Sequence, residues 1–228
     1  AASKNEFLYR FINNVYSEEM RRKDITFILL LSILVLIFFR KLLNPHKIFL
    51  GADLCVYYPI KEFLVNNIKE GIFPLWNPYV FCGAPIFSHS AMAGLFYPLN
   101  LTFLILPLDV AFNYSVILHV LLAGLFTYLL GNSLGLDRIS SLFSSIIFMF
   151  SGAFVVLLPA GTPEVLNGIT WIPLIFYLFD KALKDDKKGY VYSVLTGMAM
   201  GLQGLGAHPQ VSLMTIYALS FYLLYVLI

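Results

Sequence analysis

A few polar residues stand out in a chain that otherwise offers little chemistry. Asp53 opens "GADLCVYYP", with Tyr57 and Tyr58 close behind; Glu164 is the only acid of "AGTPEVLNG"; His208 precedes Pro209 in "GAHPQ". A carboxylate can accept a proton from a nucleophile, or serve as a second acid or a metal ligand. His208 can bind a polar ligand, and Trp76, in "FPLWNPYVFCGAPIF", can stack on a ring. Each also has a plainer use. Asp53 sits just ahead of a helical stretch, where it can cap the helix and where the helix dipole favours the ionised carboxylate. Glu164 can be a solvated loop acid, His208 a helix-end side chain bonded to backbone, and Trp76 a packing residue. His119 falls inside an apolar run, where an ionisable group marks either function or an interhelical hydrogen bond.

Composition decides what positions these residues. The chain of 228 residues is 59% hydrophobic and 12% charged, with a mean hydropathy of +0.80. Soluble chains carry roughly twice that charged fraction, about 25%. The expected fold is all-α, a polytopic integral membrane bundle. A net charge of +2 with no basic stripe argues against nucleic acid as a partner. No Walker motif, dinucleotide fingerprint or nucleophile elbow occurs, and no clustered carboxylates call for a divalent metal or other cofactor.

Apolar runs predict spans at 25–43, about 110–131, 139–159, 169–179 and about 190–207, with a truncated sixth from Pro209 to Ile228. The fourth is short and must borrow from its flanks. Residues 99–108 are either re-entrant or lead straight into the second span. Residues 1–24 carry acids and bases throughout, so they are no signal peptide; Phe7, Leu8, Phe11, Ile12 and Val15 share a helical face, as in an amphipathic entry segment. The remaining chain, 25–228, forms the transmembrane domain.

Lys181, Lys184, Lys187 and Lys188 crowd one turn, and Arg138 another, whereas "AGTPEVLNG" and "GAHPQ" carry no Lys or Arg. The positive-inside rule then predicts a multi-pass protein with a cytoplasmic N-terminus. Arg40 and Lys41, at the outer end of the first span, run against this rule. That topology gathers Asp53, Tyr57, Tyr58, Trp76, Glu164 and His208 on the outer face, where a working site is expected.

The outer loop, 44–108, is expected to be long, ordered and partly interfacial. Within it Tyr57, Ile60, Leu64 and Ile68 recur at helical spacing, opposite Lys61, Glu62 and Asn66, with Pro59 tolerated in the first turn and Gly71 ending the helix. Cys55 and Cys82 share this loop, as a disulfide or as separate thiols. Gly197 and Gly201 form a GxxxG that predicts a close helix contact. Asn100 and Asn113 match glycosylation sequons by chance, since both lie at or in the membrane.

The series "GADLCVYYP", "GIFPLWNPYVFCGAP", "GLFYPLN" and "GAHPQ", in that order over about residues 50–210, resembles the YfhO-like family of bacterial membrane proteins. That family is grouped with the C-type glycosyltransferases, which use sugars carried on polyprenyl phosphate. The resemblance implies a longer protein of the bacterial plasma membrane, moving sugar from that lipid-linked donor to a cell-envelope acceptor. It places Asp53 as the base of the first outer loop and makes that loop a wall of the active site. It also makes Arg40, Lys41 and Lys47 candidates to hold the lipid phosphate, against ordinary snorkelling and contact with membrane lipid. Tyr57, Tyr58, Trp76, Glu164 and His208 become candidate substrate contacts. The alternative is a transporter or scaffold for a lipid-linked substrate, although such proteins usually show paired halves and polar groups at the midplane.

Overall fold

The computed structural model describes residues 22–49, 51–80, 82–86, 94 and 96–228. The expected entry segment, residues 1–24, lies almost wholly outside the described residues.

Helix dominates. In chain order the elements are α1 (Arg22–Phe38), α2 (Leu54–Lys69), a hairpin of β1 (Trp76–Asn77) and β2 (Ala84–Pro85), a 3-10 turn (Pro98–Leu101), α3 (Thr102–Ile105), α4 (Leu108–Ser133), α5 (Arg138–Met149), α6 (Gly152–Ala160), α7 (Pro163–Lys184), α8 (Gly189–Gly206) and α9 (Pro209–Leu227). The hairpin is antiparallel, pairing Trp76 with Pro85 and Asn77 with Ala84.

Three stretches are long and apolar enough to cross a membrane: Leu108–Ser133, Arg138–Leu157 and Pro209–Leu227. The first expected span is an apolar helix, but at 17 residues it is shorter than these. The fourth does borrow from its flanks, growing to the 22 residues of α7. The third is interrupted at Phe150–Ser151 between α5 and α6. Residues 99–108 lead directly into α4, after a break at Leu106–Pro107.

The core is built from the faces of α4. Val116, Val120 and Ala123 pack with Leu31 and Val35 of α1, Leu142 and Met149 of α5, and Leu166 of α7. Polar bonds fix the helix register. Thr170 Oγ1 donates to the His119 carbonyl at 3.2 Å and Ser133 Oγ to Asp180 at 3.1 Å, so α4 and α7 run parallel. Gln203 of α8 donates to the Gly168 carbonyl of α7 at 2.9 Å and lies 3.0 Å from Thr215 Oγ1 of α9. Gly197 and Gly201 make no close helix approach, contrary to the GxxxG reading: a Cβ at either meets nothing within 4 Å. Close approaches occur at other glycines, among them Gly168, where a Cβ would lie 2.7 Å from that of Ala207, and Gly131, where it would lie 2.9 Å from Ser141 Oγ.

The loop after α1 is fastened to the helices at both ends. Asn113 of α4 donates to the Lys47 carbonyl and accepts from the Phe49 N–H, so this sequon residue is a buried structural tie. Asp53 N–H donates to the Ala160 carbonyl at 2.8 Å. Gly161, at φ +74, lies so close to this loop that a Cβ would stand 2.8 Å from Leu54 N and 2.9 Å from Gly51 Cα.

Gly161→Ala should therefore cost both left-handed strain, ~1–3 kcal/mol, and the seat of residues 51–54. Gly135 shares the conformation at φ +88 but has nothing within 4 Å, so Gly135→Ala isolates the strain. Thermal unfolding in detergent should place Gly161→Ala clearly below Gly135→Ala; equal midpoints would contradict the close seating.

Candidate functional site

The Asp53–Ala160 bond delivers one end of α2 to the start of α7, and the side chains there converge. Asp53 occupies the N-cap position of α2 yet makes no side-chain capping bond. The capping use left open by the sequence is not the one adopted. Tyr57, one helical turn on, is buried and donates its hydroxyl to Glu164 Oε1. Glu164 also feels the Asp53 carboxylate, and its backbone carbonyl accepts from the His208 N–H at 3.3 Å.

Glu164 is no solvated loop acid. It is 4% exposed, because the first turn of α7 is covered by α2 on one side and the α8–α9 turn on the other. Burial pushes its carboxyl above the usual range; the Tyr57 hydroxyl, its own backbone N–H and the nearby His208 offset that only in part, and Asp53 adds to it. Its second oxygen, Oε2, is buried without a hydrogen-bond partner.

Lys61 corrects the sequence reading of α2. Its periodicity places Lys61 on a solvated face, whereas the residue is 5% exposed, with its ammonium 4.9 Å from the centre of the Phe103 ring. Burial lowers its pKa to about 7 despite the opposing pull of the Glu164 carboxylate. Asp53, Tyr57 and Lys61 are spaced by four, so they line one side of the helix start. That spacing was legible, but the amphipathic pattern on the neighbouring face masked it. Pro59 also differs from expectation, lying beyond the first turn, inside the helix.

The other predicted residues separate. Tyr58 turns toward α4, donating to Asp109 at 2.8 Å and stacking on Phe112. Trp76 is 55% exposed on the hairpin, over Gly83, where a Cβ would meet its ring at 2.6 Å. It makes no hydrogen bond or ring contact with the acid cluster among the described residues. Arg40 and Lys41 are exposed in the turn after α1. His208 joins the cluster through its backbone, while its Nδ1 accepts from the Gln210 N–H at 3.3 Å, the helix-end arrangement. Cys55 and Cys82 are both exposed free thiols, so no disulfide forms.

Two further residues of the expected outer face, given no role by the sequence, are placed by the structure. Asn167, three residues after Glu164 and on its helical face, is buried and donates to the Gly206 carbonyl at 3.3 Å, leaving Oδ1 without a partner. Tyr97 anchors the far end of the loop. It accepts from Trp171 Nε1 at 2.9 Å, and its hydroxyl meets His119 Nε2 at 2.7 Å. His119 Nδ1 donates to the Ser115 carbonyl at 2.7 Å, leaving Nε2 to accept from Tyr97. His119 is thus hydrogen-bonded in the interior, but to its own helix and to a loop tyrosine rather than to a second helix.

No group of three or more His, Cys, Asp or Glu that could hold a metal occurs among the described residues. No protein-family model matches the chain, and neither a curated protein nor a solved structure matches it.

The raised carboxyl of Glu164 has a definite sign in a stability experiment. An acid that prefers to stay protonated when folded contributes stability below its ordinary value of 4.5, which is lost as pH rises through the higher folded value. Lys61 acts oppositely, losing stability as pH falls from 10.5 toward about 7. Above pH 4.5, Glu164→Gln should thus gain melting temperature relative to the unsubstituted protein as pH rises. Parallel melting-temperature curves would show that Glu164 is not held in a low-dielectric site.

Proposed function

We propose that this chain is the N-terminal part of a polytopic membrane glycosyltransferase of the YfhO-like type, working on the extracytoplasmic face of a bacterial plasma membrane. The donor is a sugar on polyprenyl phosphate and the acceptor a hydroxyl of a cell-envelope molecule. One observation carries the reading. The Asp53 carboxylate makes no cap bond at its own helix, and it stands beside a buried acid, Glu164, that retains an unpartnered oxygen.

In the reaction, the acceptor hydroxyl attacks the anomeric carbon and its proton passes to the Asp53 carboxylate. The new carbon–oxygen bond forms as the bond to phosphate breaks, and the phosphate leaves with the electron pair. Tyr57 holds Glu164 in place through its hydroxyl. Arg40 and Lys41, exposed beyond α1, meet the phosphate charge from the lipid surface. The acid cluster lies at the α7 N-terminus, opposite the end where Lys181, Lys184 and Lys187 border a cavity of about 440 Å³ with Ser133 and Asp180. That separation supports a cytoplasmic lysine end and an outer acid end.

Topology is tested by single cysteines in a Cys55→Ser, Cys82→Ser background. Tyr79→Cys should react with an impermeant thiol reagent in intact cells and Lys187→Cys should not. The reverse pattern would overturn the placement of the site.

Chemistry is tested at Asp53. With no capping bond to lose, Asp53→Asn should leave thermal stability and donor binding nearly intact. Loss of a general base should cut transfer about 10²- to 10⁴-fold in the full-length protein. Transfer at the original rate by a folded, donor-binding Asp53→Asn protein would remove the catalytic assignment and favour the transporter or scaffold.

A further inference from the structure

The start of α7 presents a set of buried oxygens that the protein itself does not use. Thr162 Oγ1, Glu164 Oε2 and Asn167 Oδ1 all lack hydrogen-bond partners. Glu164 and Asn167 are 4% and 6% exposed, and three residues apart on a helix they share a face. Thr162 is the N-cap of α7, but its hydroxyl makes no capping bond. A buried polar atom left unpaired costs ~1–3 kcal/mol. Three along six residues leave acceptors unfilled for something that donates.

The chemistry of the set selects the donor. A hard cation wants several carboxylates around it, and beside Glu164 stands only Asp53, with no third His, Cys, Asp or Glu grouped with them among the described residues. The Glu164 carboxylate already faces the Lys61 ammonium, which opposes a further cation. An anionic ligand is repelled by the carboxylate itself. A neutral ligand with several hydroxyls fits: each hydroxyl donates to one oxygen, and Glu164 gives the strongest, charge-assisted bond when ionised.

We infer that Thr162, Glu164 and Asn167 form a polyol subsite that grips the hydroxyls of a sugar ring at the start of α7. The inference deepens the glycosyl-transfer reading and rests on it for the ring's origin as the donor's sugar. The subsite itself is a statement about binding. Thr162 and Asn167 then set which sugar is accepted, because a site built to bond a hydroxyl rejects an analogue lacking it far more strongly than an apolar pocket does.

The test uses the full chain in nanodiscs and saturation-transfer NMR with methyl glycosides of glucose, galactose, mannose and N-acetylglucosamine. At least one should bind. Thr162→Val, which keeps size and removes the hydroxyl, should weaken it ~10-fold, the effect of one lost hydrogen bond of ~1.4 kcal/mol. Asn167→Leu should weaken it as much or more. Asn167→Asp keeps an acceptor and gives up the bond to Gly206, so it should rescue most of what Asn167→Leu loses. Equal losses with Asp and Leu would mean that the Gly206 bond, a structural role, is all that Asn167 supplies, and would overturn the inference. So would the absence of binding by every glycoside, or binding unchanged in Thr162→Val and Asn167→Leu. Glycoside binding without transfer would leave the subsite standing and remove the transferase reading. Transfer with an unchanged donor KM in both variants would do the opposite.

Discussion

The backbone bond from Asp53 to the Ala160 carbonyl, with Gly161 beneath it, is the constraint from which the site follows. It closes a loop of more than a hundred residues and sets one helix start against another. Backbone contact of this kind tolerates no side chain between the partners, which is why a glycine in the left-handed region occupies position 161. Once α2 is seated there, its four-residue spacing turns Tyr57 and Lys61 inward without further instruction. The acids, the phenol and the amine are thus neighbours because two stretches of main chain are.

Burial then gives these groups their character. Glu164 and Lys61 carry shifted proton affinities for the same reason, removal from water, and the Glu164 carboxylate partly offsets the shift at Lys61. The far end of the loop shows the satisfied counterpart. Tyr97, Trp171 and His119 form a closed chain of hydrogen bonds in an apolar setting, where every donor finds an acceptor and nothing remains for a ligand. The contrast between a saturated network and an unsaturated one, both buried, separates an anchor from a site.

Much of this was legible in the residues, in a particular way. Apolar runs located α4, α8 and α9 to within a few positions, because helix length and hydrophobicity are local properties, whereas α7 extends well past the expected 169–179 at both ends. The grouping of Glu164 with Asp53, Tyr57 and His208 was legible only as membership of one face of a topology. Their contact depends on Gly161, whose role no local pattern announces. Lys61 was misplaced because its charge argued for water, while its spacing from Tyr57 argued for the interior; tertiary packing decided for spacing. Trp76 and Tyr58 had the right chemistry but are directed elsewhere, by the hairpin and by Asp109. Residue type proposes a site, and backbone geometry selects from it.

The buried amide of Gln203 bears on how the helices come together. Its nitrogen reaches the Gly168 carbonyl on α7 and the Thr215 hydroxyl on α9. The first bond becomes available as soon as α7 and α8 meet as a hairpin, but the second waits for α9. An α7–α8 pair inserted alone keeps one donor hungry in an apolar medium, a cost that draws in the next helix and rewards only one depth of entry. Slipping α9 by a single residue would swing Thr215 about a hundred degrees around its axis and forfeit that bond. A single glutamine therefore ties the depth and rotation of α9 to α7 and α8 at once.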